Sequence, residues 1–116
     1  MIDILNIICA LLTIAFGAFG FLNPRFTARA LDLKTGGSTM GLSELRASVG
    51  GGFVILGLGC LWLATPTSYF MMGLIYVGLA LGRAVSILID KPPITKATVF
   101  FAIELIIAVY LVWANA

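Results

Sequence analysis

GLSELRASVGGGFVILGLGCLWLA, residues 41–64, decides the fold. An acid and a base two residues apart, then three consecutive glycines, head a segment that runs apolar to Ala64. Such a run of about 20 apolar residues matches the ~30 Å hydrocarbon core of a bilayer at ~1.5 Å per helical residue. The composition of the whole chain agrees. Over 116 residues, 61% are hydrophobic and 10% are charged, against roughly a quarter charged in a soluble domain. A soluble fold this small buries too little of its chain to hide that much apolar surface. The sequence therefore reads as one integral membrane domain, residues 1–116.

Similar runs extend outward from this segment, at about 4–22, 43–64, 69–89 and 96–114. Asn23-Pro24 ends the first, TPTS (65–68) separates the second from the third, and DKPPIT (90–95) separates the third from the fourth. Paired prolines cannot continue a helix, and the last two loops are short enough to impose antiparallel hairpins. The N-terminal run MIDILNIICALLTIAFGAFGFL carries Asp3 where a leader peptide has a positive charge, and it is long enough to span. It reads as a retained transmembrane helix. The expected fold is all-α, an antiparallel bundle of four transmembrane helices.

The first loop is longer. NPRFTARALDL offers Asn23 as a helix cap and Pro24 at the first helical position. Phe26, Ala30 and Leu33 share one face at helical spacing, opposite Arg25, Arg29 and Asp32. That pattern predicts a short interfacial helix at about 24–33, with an irregular linker as the alternative. KTGGSTMG (34–41) then reads as flexible; its glycines lack the lysine and the preceding strand of a phosphate-binding loop.

All seven Lys and Arg residues fall on one side of this topology or in the helix halves nearest it: Arg25, Arg29, Lys34, Arg46, Arg83, Lys91 and Lys96. The positive-inside rule then places loops one and three in the cytoplasm and both termini outside. Trp62, Tyr69, Tyr110 and Trp113 fall near the opposite ends of their spans, as an aromatic belt would.

The acids and bases inside the spans are the candidate site. Glu44, Arg46, Arg83, Asp90 and Glu104 all belong to the cytoplasmic half. Arg83 lies about 10 Å from the end of span three and Glu104 about 13 Å into span four, depths that an Arg side chain can bridge. An unpaired charge near the bilayer centre costs about 2.5–3.5 kcal/mol, and a bidentate Arg–carboxylate pair offsets much of it. Asp90, seven residues beyond Arg83 with Ser86 between them, is the alternative partner. Glu44 and Arg46 lie on nearly opposite sides of their helix and do not serve each other. Ser43 is a candidate cap, Glu44 complements the helix dipole, and Arg46 suits a lipid phosphate. A polar pocket open to the cytoplasm is the functional alternative to these structural roles.

Gly50, Gly51 and Gly52, with Gly78-Leu-Ala-Leu-Gly82 and Ser86, are expected to let spans two and three approach closely, with a homo-oligomeric contact as the second use. Cys9 and Cys60 fall at similar depth and read as small apolar thiols rather than a disulfide. The chain has no His, which removes the usual metal ligand and proton-transfer group, and its net charge of +2 does not argue for nucleic acid. Neither a catalytic constellation nor a cofactor or metal motif is apparent. A non-catalytic role is expected, with the lipid bilayer and a membrane-protein partner or second copy as the contacts.

GLSELRASVGG, GRAVSILIDKPP, the Asn-Pro after the first span and the lone Glu of span four together resemble a bacterial four-helix membrane family, domain of unknown function (DUF) 4345. The resemblance covers nearly the whole chain and implies the fold but no activity. The family is also distantly similar to DoxX-like proteins. It commonly carries an aromatic before the glycine pair, where this chain has Val49, and a glycine after the Asp, where it has Lys91. The first departure counts against a binding role that depends on that aromatic.

Overall fold

The computed structural model describes residues 2–34 and 36–116, and these are helical without strands. Thr35 of the 34–41 linker, Met1 and the side chains of Ile2 and Asp3 lie outside the described residues. Four helices are long and apolar enough to cross a membrane: Ile4–Leu22, Met40–Leu63, Pro66–Ile89 and Ile94–Asn115. Large apolar side chains stand exposed along them, Leu88 at 77% and Ile106 at 68% among them. Monomeric soluble proteins rarely expose apolar surface so continuously. The chain is a multi-pass membrane protein, organised as two compact units, Asp3–Leu63 and Ala64–Ala116.

In the first unit, α1 (Ile2–Leu22) is followed by the short α2 (Pro24–Ala30). The Asn23 carboxamide oxygen accepts the Phe26 N–H at 3.2 Å, and Pro24 occupies the first turn, where its missing N–H costs nothing. The helix stops at Ala30, short of the expected Leu33. Leu33 N–H reaches back to Ala28 O at 2.7 Å and Asp32 N–H to Arg29 O at 3.2 Å, closing a Schellman-type end with Asp32 at φ 58°. Its buried residues are Pro24 and Ala28 rather than the Phe26–Ala30–Leu33 face. The two small residues allow closer approach, while Phe26 sits against Phe19 with ring centroids 5.2 Å apart.

The second span is one continuous helix that changes character along its length: α3 (Met40–Leu45), a π-helical segment over Arg46–Gly52, and α4 (Phe53–Leu63). It begins three residues before the expected start. Ser43 is inside its first turn, donating its N–H to Thr39 O at 3.0 Å, and the Ser38 hydroxyl accepts the Met40 N–H instead. Ser48 returns its hydroxyl to Glu44 O at 2.6 Å, a local bond that competes with the regular ladder.

Glycines decide how α1 meets this helix. A Cβ on Gly57 would lie 2.8 Å from Ala10 O, one on Gly17 2.6 Å from Val54 N, and one on Gly50 2.6 Å from Phe21 N. The contacts climb α1 as they descend the second span, and most of the atoms met are backbone. Cys9, Ala10 and Thr13 of α1 and Cys60 of α4 complete this core. Both cysteines are free thiols.

In the second unit, Thr65 caps α5 (Pro66–Ile89), accepting the Ser68 N–H at 3.2 Å, with Pro66 at the first helical position. TPTS therefore starts the helix that it was expected only to precede. Asp90 ends it, Lys91 takes φ 49°, and the Pro92-Pro93 pair leads into α6 (Ile94–Asn115). Tyr69, Met72, Gly73, Tyr76 and Ala80 form one buried stripe on α5, and Ala97, Ile107, Ala108 and Leu111 are buried on α6. Tyr69, at 5% exposure, belongs to this core and not to an aromatic belt, whereas Trp62 and Trp113 are exposed at 87% and 83%.

Candidate functional site

Arg83 and Glu104 are placed by helix geometry alone, since neither lies near a turn. Arg83 projects from α5 seven residues beyond Tyr76, in line with the buried stripe, and α6 presents Glu104 opposite. Nε donates to Oε1 at 3.1 Å and an Nη to Oε2 at 3.0 Å, a bidentate pair that uses both carboxylate oxygens. The side chains are 30% and 12% exposed, so the acid is the more enclosed partner. The guanidinium also stands over the Phe100 ring, 5.3 Å from its centroid. Phe100 and Glu104 are one turn apart on α6, so a single face of that helix supplies both the carboxylate and the ring.

Asp90 does not join this pair. It accepts the Ser86 hydroxyl at 2.8 Å, one turn back on its own helix, and lies exposed at the end of α5. Glu44 and Arg46 belong to the first unit and are both exposed. The Glu44 carboxylate has no cation partner among the described residues, and its backbone carbonyl accepts the Ser48 hydroxyl.

Arg46 has a defined role. It opens the π-helical segment and its guanidinium donates to the carbonyl of Phe21. That carbonyl is among the last four of α1, which have no partner within the helix, and a cation there also meets the negative end of the helix dipole. Gly50 lies within this segment, and its bare Cα abuts Gly20 and Phe21. So the SELRA motif is bonded to the end of α1 by a side chain and closed on it by a glycine. A Cβ on Gly51 would lie 3.6 Å from the Phe21 ring, and one on Gly52 would lie 3.4 Å from Ala47 O of its own segment.

The α5 glycines are different. Outside their own helix backbone and chain neighbours, no heavy atom of the described residues lies within 4 Å of a Cβ built on Gly78 or Gly82. Both are exposed on the side of α5 away from the Tyr69–Ala80 stripe. The closest glycine contact of this helix is at Gly73, where a Cβ would lie 2.8 Å from Leu111 Cβ. Within the two units, close glycine approaches are made by Gly73 with α6 and by Gly50 with α1. Two participants were missed in the sequence, Gly17 and Gly20; their spacing of three on an apolar helix was the available signal.

No described set of three or more Cys, Asp and Glu side chains is grouped as a metal site. Neither the curated proteins nor the solved structures contain a match to the chain. A family model does match, across nearly the full length. The chain belongs to the family described as "Domain of unknown function (DUF4345)", which covers residues 1–115.

Proposed function

We propose that this protein is a small, non-catalytic accessory subunit of a bacterial inner membrane, folded as a single antiparallel four-helix domain that self-associates or joins a larger membrane complex. The observation that carries this reading is the Arg83–Glu104 pair. Both carboxylate oxygens are consumed by the guanidinium, whose face is further covered by Phe100. A ligand pocket built from Glu44, Arg46, Arg83 and Glu104 needs those two groups open to a ligand. A pair that satisfies itself favours a latch that fixes helix register.

The exposed Gly78–Gly82 ridge, continued by Ser86, supports the association. Small residues let a foreign helix approach closely in lipid, where packing rather than hydrophobic burial drives contact. In this reading α2 lies in the headgroup plane, loops one and three face the cytoplasm and both termini face outward, following the basic residues. The test is cysteine crosslinking of Gly82→Cys in native membranes. The expected product is a covalent dimer or an adduct with a larger membrane protein. Recovery of monomer alone sinks the proposal.

A further inference from the structure

A second polar feature lies outside the latch. Where α1 ends and the second span begins, an open groove of about 530 Å³ is lined by Asn23, Arg25, Thr39, Leu42, Ser43 and Arg46 among others. Its lining contains two arginines, two hydroxyls and an amide, and no acid. The Asn23 oxygen is occupied by the Phe26 N–H, which leaves its amide NH₂ as the donor that this lining residue can offer. One Arg46 N–H is fixed on the Phe21 carbonyl, which holds its guanidinium in place while four N–H groups remain. Arg25 has no carboxylate partner among the described residues.

We propose that this groove binds a phosphate-class anion, supplied by the headgroup of an anionic membrane lipid or by free phosphate, on the guanidinium groups of Arg25 and Arg46. Two independent observations support it. Several donors line one groove without any acid among them, and forked guanidinium donors match phosphate oxygens bidentately. The groove also lies at the joined ends of two candidate spans, Ile4–Leu22 and Met40–Leu63, where the phosphate plane of a bilayer meets the protein. Leu22 and Leu42 in the lining supply an apolar edge on which the first carbons of an acyl chain can lie. The lipid is the better source, because the bilayer presents its phosphate at that depth. This proposal is independent of the accessory-subunit reading; either can fail without the other.

The full chain is reconstituted in nanodiscs of phosphatidylcholine with a minor fraction of phosphatidylglycerol, and retained lipid is counted by native mass spectrometry. Wild-type protein is expected to retain phosphatidylglycerol preferentially, and Arg25→Gln to reduce that preference about tenfold, the loss of one charge-assisted contact. Arg29→Gln, on the same short helix but outside the groove lining, is expected to leave it unchanged. Inorganic phosphate is titrated into pure phosphatidylcholine discs and followed by ³¹P line broadening. Arg25-dependent binding there supports the site and assigns free phosphate as its ligand. The proposal is overturned if neither probe depends on Arg25, or if Arg29→Gln costs as much as Arg25→Gln, which marks a diffuse surface charge. Circular dichroism of each variant guards the comparison. If Arg25→Gln does not fold, Arg25→Lys keeps the charge but loses the fork, and an unchanged preference in that variant overturns bidentate recognition.

Discussion

Replacing Glu104 with Gln removes the negative half of the latch while keeping its shape. Glu104 lies ten residues beyond the start of α6 at Ile94, and Arg83 six residues before the end of α5 at Ile89. At ~1.5 Å per residue those depths are about 15 Å and about 9 Å, inside a hydrocarbon core of ~30 Å. The variant leaves an uncompensated guanidinium, which costs about 2.5–3.5 kcal/mol at the bilayer centre. Arg83 starts nearer the surface and can extend its aliphatic stem outward, which lowers the penalty. It also loses its fixed position over Phe100, worth about 0.5–1 kcal/mol at a partly exposed site. The expected destabilisation is about 1.5–3 kcal/mol. Reversible unfolding in mixed micelles, followed by helicity as SDS is titrated, measures it. The cycle is completed with Arg83→Gln and the Gln/Gln double variant. If the pair is a latch, the double variant recovers much of the loss, with a coupling energy above about 1 kcal/mol. Single losses that simply add, with coupling below about 0.5 kcal/mol, refute the reasoning, because the two charges would then be solvated independently.

Gly50→Ala should cost about 1–3 kcal/mol in the same assay, since the new methyl meets backbone atoms of Gly20 and Phe21 that cannot rotate away. Gly82→Ala, built into open space, should fall within about 0.5 kcal/mol of wild type as a monomer. Lys91 holds φ 49°, so Lys91→Gly should raise stability by about 0.5–1 kcal/mol, the relief of left-handed strain less the extra freedom of the unfolded chain; a loss of stability contradicts this. Trp62 and Trp113 stand exposed, so in a bilayer their fluorescence should be quenched by brominated acyl chains, and equal quenching by aqueous acrylamide alone refutes their placement in lipid.

The spans were legible because a bilayer leaves the chain few options: each apolar run must satisfy its own backbone, and only a helix does so within one segment. The Arg83–Glu104 pair was legible for a related reason, because charges at matched depth on neighbouring helices have few other partners. The partner of Gly50 was not. Bare Cα atoms in a sequence say that something can come close but not which helix, and α1 has its own glycines facing the gap. The caps moved by a few residues because Ser38, Thr39 and Ser43 are chemically interchangeable as helix starts, and the choice among them depends on where the second span must meet α1. The π-helical segment left no clear mark either. Three glycines lower the resistance to an irregular ladder, yet the same composition is met in ordinary α-helices.

That segment has a mechanical consequence. A wide turn accommodates one more residue than an α-helix covering the same rise, so it offsets the rotational phase of α3 from that of α4. The sides of the helix that meet the headgroups and those that meet α1 are thereby set separately, like two gears joined through a slipped tooth. Winding the same residues as a regular α-helical ladder would instead turn everything upstream by about 100°. Arg46 would swing off the end of α1, while Gly57 and Cys60 kept their neighbours. The triple glycine thus acts as a phase adjuster, letting one span answer to two surroundings at once.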